Sequence, residues 1–185
     1  MGQYYKIVTR TTDGITAVND RTIKGDSGYC MAKLLEHGWC ECGICRALAY
    51  SIVNRPTKVC WVGDYAEPEE CEALGFTYDE VWGDDAKDTP FEPAPKPFEF
   101  KQFKYLVNHD KKQYVDIAKY MKASTDKDGW CIFPVAILTA LGNGRGGGDY
   151  HHEDDPLVGS WAFDFISITD QPVDGFEEIE PVFID

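Results

Sequence analysis

Apolar positions recur along the chain with helical spacing mainly in the first half. Residues 29–37 and 41–53 place apolar side chains three or four positions apart, which is typical of amphipathic helices. A short acidic helix is predicted over residues 67–74, where Pro68 suits the first turn. The continuous apolar segment 58–62 predicts a buried strand between these helices.

Strand patterns open the chain and dominate its second half. We predict strands at 3–9, 15–23, 103–107, 113–117, 130–141, 158–168 and 176–184. The strands 3–9 and 15–23 form one predicted hairpin, and 103–107 and 113–117 form another. Residues 111–122 also fit a helix. The expected fold is therefore α+β, with an antiparallel sheet drawn mostly from the second half and two or three helices from the first half packed on it.

The chain length of 185 residues predicts a single domain. A segment at about 83–98 is rich in acids and prolines, and we expect it to connect two lobes of that one fold. No apolar run approaches the length of a membrane span, and the first residues lack the apolar core of a signal peptide. These features predict a cytoplasmic protein without a membrane partner.

A net charge of −14 changes the expected set of partners. No Lys or Arg follows Arg145, whereas eleven acids do. Direct nucleic-acid binding needs basic patches that neutralise phosphates, so we do not expect it. An acidic surface of this kind mainly aids solubility, and the alternative is a protein partner bound through that surface, including mimicry of a nucleic acid.

A glycine-rich loop, Gly142–Tyr150, lies between the apolar runs 130–141 and 158–168. Six of the seven residues from Gly142 to Gly148 are Gly or Asn. Such a backbone reaches positive φ angles easily but loses much entropy on ordering. We interpret this composition as a place where the backbone must approach another group closely.

An anion site is one explanation of the loop. Its glycines satisfy the G-x-G-x-x-G spacing, but the residues that follow do not form the helix that a dinucleotide-binding turn requires. Successive backbone N–H groups can instead form an anion-binding nest, with Arg145 pairing with phosphate or carboxylate. The alternative is a hairpin loop in which Arg145 pairs internally with Asp149 or Asp164.

The tripeptide Gly-Asp-Tyr occurs twice, at residues 63–65 and 148–150, each time after an apolar run. If both strand ends lie at one edge of the sheet, the aspartates and tyrosines would surround one pocket. Tyrosine rings would stack on a base or sugar, and carboxylates would accept hydrogen bonds from hydroxyl groups. Two unrelated turns are the alternative interpretation.

Metal and thiol chemistry have weaker support. Asp149, His151 and His152 are candidate ligands for a divalent metal, which would activate water if Asp64 or Asp164 joined them. The cysteines of the segment 40–45 suit zinc, but a second C-x-x-C pair is missing, so packing in the core is favoured. His109 falls in a predicted hairpin loop, where a surface role is favoured over a catalytic one.

Several sequence blocks carry a resemblance to a known family. They are Met1–Lys6 (MGQYYK), Trp61–Ala66 (WVGDYA), Tyr105–Asp116, Leu138–Tyr150 (which contains GNGRGGGDY) and Val158–Ala162 (VGSWA). On these blocks the chain resembles a family of uncharacterised small proteins from bacteria and their phages, over most of its length. The resemblance implies an intracellular prokaryotic or phage setting and supplies no catalytic residues.

The leading functional hypothesis is a non-enzymatic binding protein that holds a small anionic ligand, such as a nucleotide or nucleotide-derived signal. In a phage setting it would sequester a host signal in the host cytoplasm. No cofactor is expected, and the alternatives are a metal-assisted hydrolase and an acidic protein–protein inhibitor. The predicted ligand site comprises Asp64, Tyr65, Asn143, Gly144, Arg145, Gly146, Gly147, Gly148, Asp149, Tyr150 and Trp161.

Overall fold

A mixed β-sheet forms the centre of the protein in the computed structural model, which describes residues 1–11, 14–18, 32–84, 86, 91–150, 155–171 and 173–184. Its described strands are β1 (Tyr5–Thr11), β2 (Gly14–Val18), β3 (Thr57–Gly63), β4 (Tyr105–Asn108), β5 (Gln113–Asp116), β6 (Ala140–Leu141), β7 (Asp164–Thr169) and β8 (Glu177–Glu178). Their order is β2-β1-β3-β7-β4-β5-β8, and β6 also pairs with β3. The β3–β6 and β5–β8 pairs are parallel, and the other neighbours are antiparallel.

Helices from both halves of the chain accompany the sheet, and the α+β class is confirmed. In the described residues they are α1 (Leu34–His37), α2 (Gly43–Ser51), α3 (Pro68–Leu74), α4 (Tyr78–Trp82), α5 (Ile117–Ser124) and α6 (Pro134–Leu138), with a short 3₁₀ helix at Phe100–Gln102. The predicted helices at 41–53 and 67–74 are present as α2 and α3. The predicted hairpin 103–117 is present as β4 and β5, and α5 follows it directly.

Side chains of β3 alternate between two hydrophobic cores, because successive residues of a strand point to opposite faces. Val59 and Trp61 belong to the larger core, which also contains buried residues of α2, α5 and α6. Cys60 and Val62 belong to a smaller core with buried residues of α3 and α4. The sheet is therefore covered on both faces at β3.

The predicted long strand 130–141 is wrong, because most of this run is helical. Pro134 begins α6, and only Ala140 and Leu141 are extended in the sheet. All five residues of α6 are buried. A fully buried helix and a fully buried strand share the same continuous apolar pattern, so the pattern could not distinguish them.

Two other predicted strands are much shorter in the structure. Turns occupy most of the run 158–168 before β7 begins at Asp164, and Gly159 and Phe163 have φ angles of 68° and 60° that interrupt an extended chain. The run 176–184 contains only β8.

Some predicted elements reach residues outside the described ranges. Residues 19–23 of the second predicted strand and 29–31 of the first predicted helix lie there, and the helix itself is described only as α1. The described residues of the segment 83–98 form neither helix nor strand.

Candidate functional site

The glycine loop packs against the first residues of the chain. Gln3 N donates a hydrogen bond of 2.8 Å to Gly147 O, and Gly147 N donates one of 3.0 Å to Met1 O. The side chain of Gln3 is fully buried, and its Nε2 donates to Gly142 O at 2.9 Å. The N-terminal segment and the loop therefore form one hydrogen-bonded unit across 139 residues of sequence.

The close approach of Gln3 explains why glycine is needed at two positions that contact it, Gly146 in the loop and Gly63 at the end of β3. A Cβ at Gly146 would lie 2.5 Å from the Cβ of Gln3, and a Cβ at Gly63 would lie 1.9 Å from its Nε2. Both distances are far below van der Waals contact. The segment that the loop approaches is thus part of the same chain.

Three consecutive amides of the loop converge on one carboxylate oxygen. The N–H groups of Gly144, Arg145 and Gly146 each donate to Asp149 Oδ2 at 2.9 Å. Asp149 is only 2% exposed, so these donors replace water around its charge. The loop is an anion-binding nest, and the anion in it belongs to the loop.

The second oxygen of Asp149 connects the nest to β1. Tyr5 Oη donates to Asp149 Oδ1 at 2.9 Å within the buried core. Burial, followed by the negative charges of Asp149 and Asp64, raises the pKa of Tyr5. The hydroxyl therefore keeps its proton at neutral pH and acts as a donor.

An amide clamp closes the loop at its base. Asn143 Oδ1 accepts from Tyr150 N at 2.9 Å, and Asn143 Nδ2 donates to Tyr150 O at 3.1 Å. The ring of Tyr150 is 2% exposed and makes an edge contact with Phe183 at 5.5 Å between centroids. Its burial leaves no ring face for a ligand to stack on.

The guanidinium of Arg145 is bound to α3. Its Nη1 and Nη2 donate to the two carboxylate oxygens of Glu70 at 2.7 and 2.6 Å, and Nη1 also donates to Tyr65 O at 2.9 Å. The hydrogen bond from Arg145 lowers the pKa of Glu70. The internal pairing considered for Arg145 thus occurs, although the partner is Glu70 rather than Asp149 or Asp164.

The structure brings the two Gly-Asp-Tyr segments to the same N-terminal strand. Asp64 Oδ1 accepts a hydrogen bond from Tyr4 N at 3.0 Å. The next residue, Tyr5, donates its hydroxyl hydrogen bond to Asp149. Desolvation raises the pKa of Asp64, and the nearby charge of Asp149 adds to the effect. The space between the two segments is occupied by the chain itself at Gln3–Tyr5.

Trp161 lies in the core. It is fully buried, and its Nε1 donates to Gln113 Oε1 at 3.1 Å. In this position its indole ring is not available for stacking on a ligand at the loop.

The metal candidates are only partly described. His151 and His152 lie outside the described residues, and Asp149 is occupied by the nest and by Tyr5. Within the described ranges, no group of three or more His, Cys, Asp or Glu side chains is arranged to hold a metal ion. Cys40 and Cys45 are buried with free thiols in the larger core. A metal site at the loop stays a prediction.

No family model, curated protein or solved structure matched the chain. The site is therefore interpreted from its own geometry. Among the helices that the structure describes, none has the length and apolar composition needed to cross a bilayer.

Three residues that complete the unit were not among the predicted site residues. They are Gln3, Tyr5 and Glu70, and each contacts the loop directly. Glu70 lies within the predicted acidic helix 67–74, but no local pattern pairs it with Arg145. Gln3 and Tyr5 also lack a local signal, since their contacts join residues that are far apart in sequence.

Proposed function

We propose that the protein is a non-enzymatic, cytoplasmic binding protein that acts through an acidic face on a basic protein partner. The acidic face is defined by the exposed carboxylates of α3, α4 and their flanks, which are Glu67, Glu69, Glu72, Asp79, Glu80 and Asp84. The observation that carries the proposal is the charge of residues 59–86, which contain nine acids and no Lys or Arg.

Few cations reach this face from elsewhere in the described structure. Arg145 pairs with Glu70, while Lys6 and Arg10 donate to the backbone carbonyls of Val81 and Gly75. The nine acids of the segment therefore outnumber the three cations seen to bond to it in the described part of the chain. A surface with this excess attracts basic partners, accelerates their encounter and binds them less strongly as salt increases.

The same acids also have a local role. Glu69 and Glu70 lie in the first turn of α3, and Asp79 and Glu80 lie in the first turn of α4. Negative charge at a helix N-terminus is stabilised by the helix dipole, so these acids support both helices. Glu72 and Asp84 lie outside those first turns, which makes them suited to a test of partner binding.

Ligand binding at the glycine loop is the second candidate. The convergence of three amides on one point supports it, because this geometry suits a carboxylate or phosphate oxygen. A free anion would have to displace Asp149, which is tethered to the loop, and would find Arg145 already paired with Glu70. For this reason the acidic face is the favoured proposal.

The test compares two double variants for binding to a fluorescently labelled oligolysine peptide. Neutralising the face with Glu72→Gln and Asp84→Asn should weaken binding at least about two-fold, from roughly 0.2–1 kcal/mol per exposed charge pair. The matched control, Glu92→Gln and Asp128→Asn, removes the same charge from exposed positions elsewhere. Equal losses in the two variants would mean that only net charge matters, and would refute a defined acidic face.

A further inference from the structure

A groove of about 500 Å³ lies beside β4 and β7, in a part of the molecule that no predicted site residue reaches. Ile166 and Ile168 of β7 point into the larger core, so the alternate residues Ser167 and Thr169 face the other side of the sheet. Both line the groove together with His109 from the turn after β4. Phe176 and Asp174, from the segment before β8, form part of its wall.

Two hydrogen-bonded pairs fix the polar groups of the groove. The Nε2 of His109 and the Oγ of Ser167 are 2.8 Å apart. Thr169 Oγ1 donates to Asn54 Oδ1 at 2.7 Å. Burial lowers the pKa of His109 despite the opposing charge of Asp110, so the imidazole is neutral at neutral pH. These pairs present oxygen and nitrogen atoms without introducing a positive charge.

An aromatic ring and aliphatic side chains complete the walls. Phe176 makes an edge contact with the His109 ring, with 6.1 Å between centroids and an interplanar angle of 85°. Val173 and Pro56 add apolar surface. Apolar walls with a few convergent polar groups are the usual composition of small-molecule sites.

The charge around the groove selects the sign of its ligand. Of the described residues that line it, none is Lys or Arg, and Asp174 contributes an exposed carboxylate. The whole chain carries a net charge of −14, which raises the local concentration of cations and repels anions. The ring of Phe176 can form a cation–π contact with a bound cation.

We propose that this groove binds a small organic cation, namely an amine carried on an aromatic body. The ammonium group is attracted by Asp174 and donates to Asn54 Oδ1, which is the exposed end of the Thr169–Asn54 pair. The aromatic body packs against Phe176, Pro56 and Val173. This site is separate from the acidic face and does not depend on it.

The test is an NMR titration with three probes of nearly equal shape and different charge, which are phenethylamine, phenethyl alcohol and phenylacetate. We expect the amine to shift the signals of His109 and Ser167 and to bind several-fold more tightly than the alcohol, with phenylacetate weakest. Asp174→Asn should weaken the amine about two- to five-fold and leave the alcohol unchanged, as for one exposed charge pair. Phe176→Leu should also weaken the amine.

The control variant Glu92→Gln removes an exposed charge that does not line the groove and should change none of these affinities. The proposal is overturned if the amine leaves the His109 and Ser167 signals unshifted, or if the alcohol or phenylacetate binds as tightly as the amine. It is equally overturned if Glu92→Gln weakens the amine as much as Asp174→Asn, because the attraction would then not be local.

Discussion

At the scale of single residues, Asp149 determines the conformation of the glycine loop. One buried carboxylate accepts three backbone N–H groups and a tyrosine hydroxyl. Buried charges are tolerated when every lone pair has a donor, and removal of one member leaves the others without partners. The loop is consequently ordered by an internal anion rather than by a bound one.

The substitution Asp149→Ala should cost about 2–4 kcal/mol of unfolding free energy, measured by urea denaturation, because the buried Tyr5 hydroxyl and three partly buried amides lose their acceptor. Sodium formate should restore part of the melting temperature, since formate fits the vacated nest, whereas sodium chloride at the same ionic strength should not. Asp170→Ala is the control, because Asp170 accepts one amide at an exposed position. Equal stability of the two variants would contradict the role assigned to Asp149.

Two neighbouring glycines have different steric surroundings, which provides a second test at this scale. A Cβ at Gly146 would overlap Gln3 at 2.5 Å, whereas the nearest atom to a Cβ at Gly147 is 3.6 Å away. We expect Gly146→Ala to destabilise the protein by about 1–3 kcal/mol, as overpacking usually does, and Gly147→Ala to have little effect. Thermal unfolding of both variants checks the difference, and comparable losses would show that the close approach to Gln3 is not the cause.

At the scale of elements, the Arg145–Glu70 pair connects the loop to α3. Glu70 also caps the helix, since its Oε2 accepts from Glu67 N at 2.8 Å. The side chains of Arg145 and Glu70 are 36% and 32% exposed. Solvent therefore partly screens the attraction between Arg145 and Glu70. The main effect of the ion pair is to fix the position of the loop relative to α3.

A double-mutant cycle with Arg145→Ala and Glu70→Ala should give a coupling energy of about 0.5–1 kcal/mol at neutral pH. The pKa of Glu70 is lower in the folded state, so its contribution is present above the unfolded pKa and is lost as pH falls through the folded value. The coupling should therefore disappear in acid. A coupling that persists after Glu70 is protonated would show that packing, and not charge, joins the two residues.

Elements with a clear local signal were predictable from the sequence, whereas those decided by distant contacts were not. α3 has a proline at its start, and α2 has helical spacing, so both were identified. The helix α6 was interpreted as a strand because burial on all sides removes the periodicity. The glycine loop was located, but its partner Gln3 lies 139 residues away, and no local pattern indicates such a contact.

At the scale of the whole molecule, charge repulsion opposes the compact state. The net charge is −14, and the sequence pI is about 4.6. The Debye length is about 10 Å at 0.1 M ionic strength, so salt largely screens repulsion between exposed charges that lie farther apart than this. Composition alone was sufficient to predict the excess charge, and the acidic helix predicted at 67–74 placed part of it on α3, but α4 was not predicted.

We expect the melting temperature to rise with sodium chloride at neutral pH, because screening relieves repulsion among the excess carboxylates. The rise should become small near the sequence pI of about 4.6, where the net charge is close to zero. Differential scanning calorimetry at matched pH values measures both trends. A melting temperature that falls with salt at neutral pH would mean that attractive ion pairs outweigh the repulsion.

The union of the N-terminal segment with the glycine loop has a consequence for biosynthesis. The partners of Gln3 and Tyr5, which are Gly142 and Asp149, are translated 139 and 144 residues after them. Contacts of such long range form late, so both side chains reach their final positions only after the glycine loop has been translated. During this interval β3 is the unpaired edge of the nascent sheet, because its partners β6 and β7 are translated later as well.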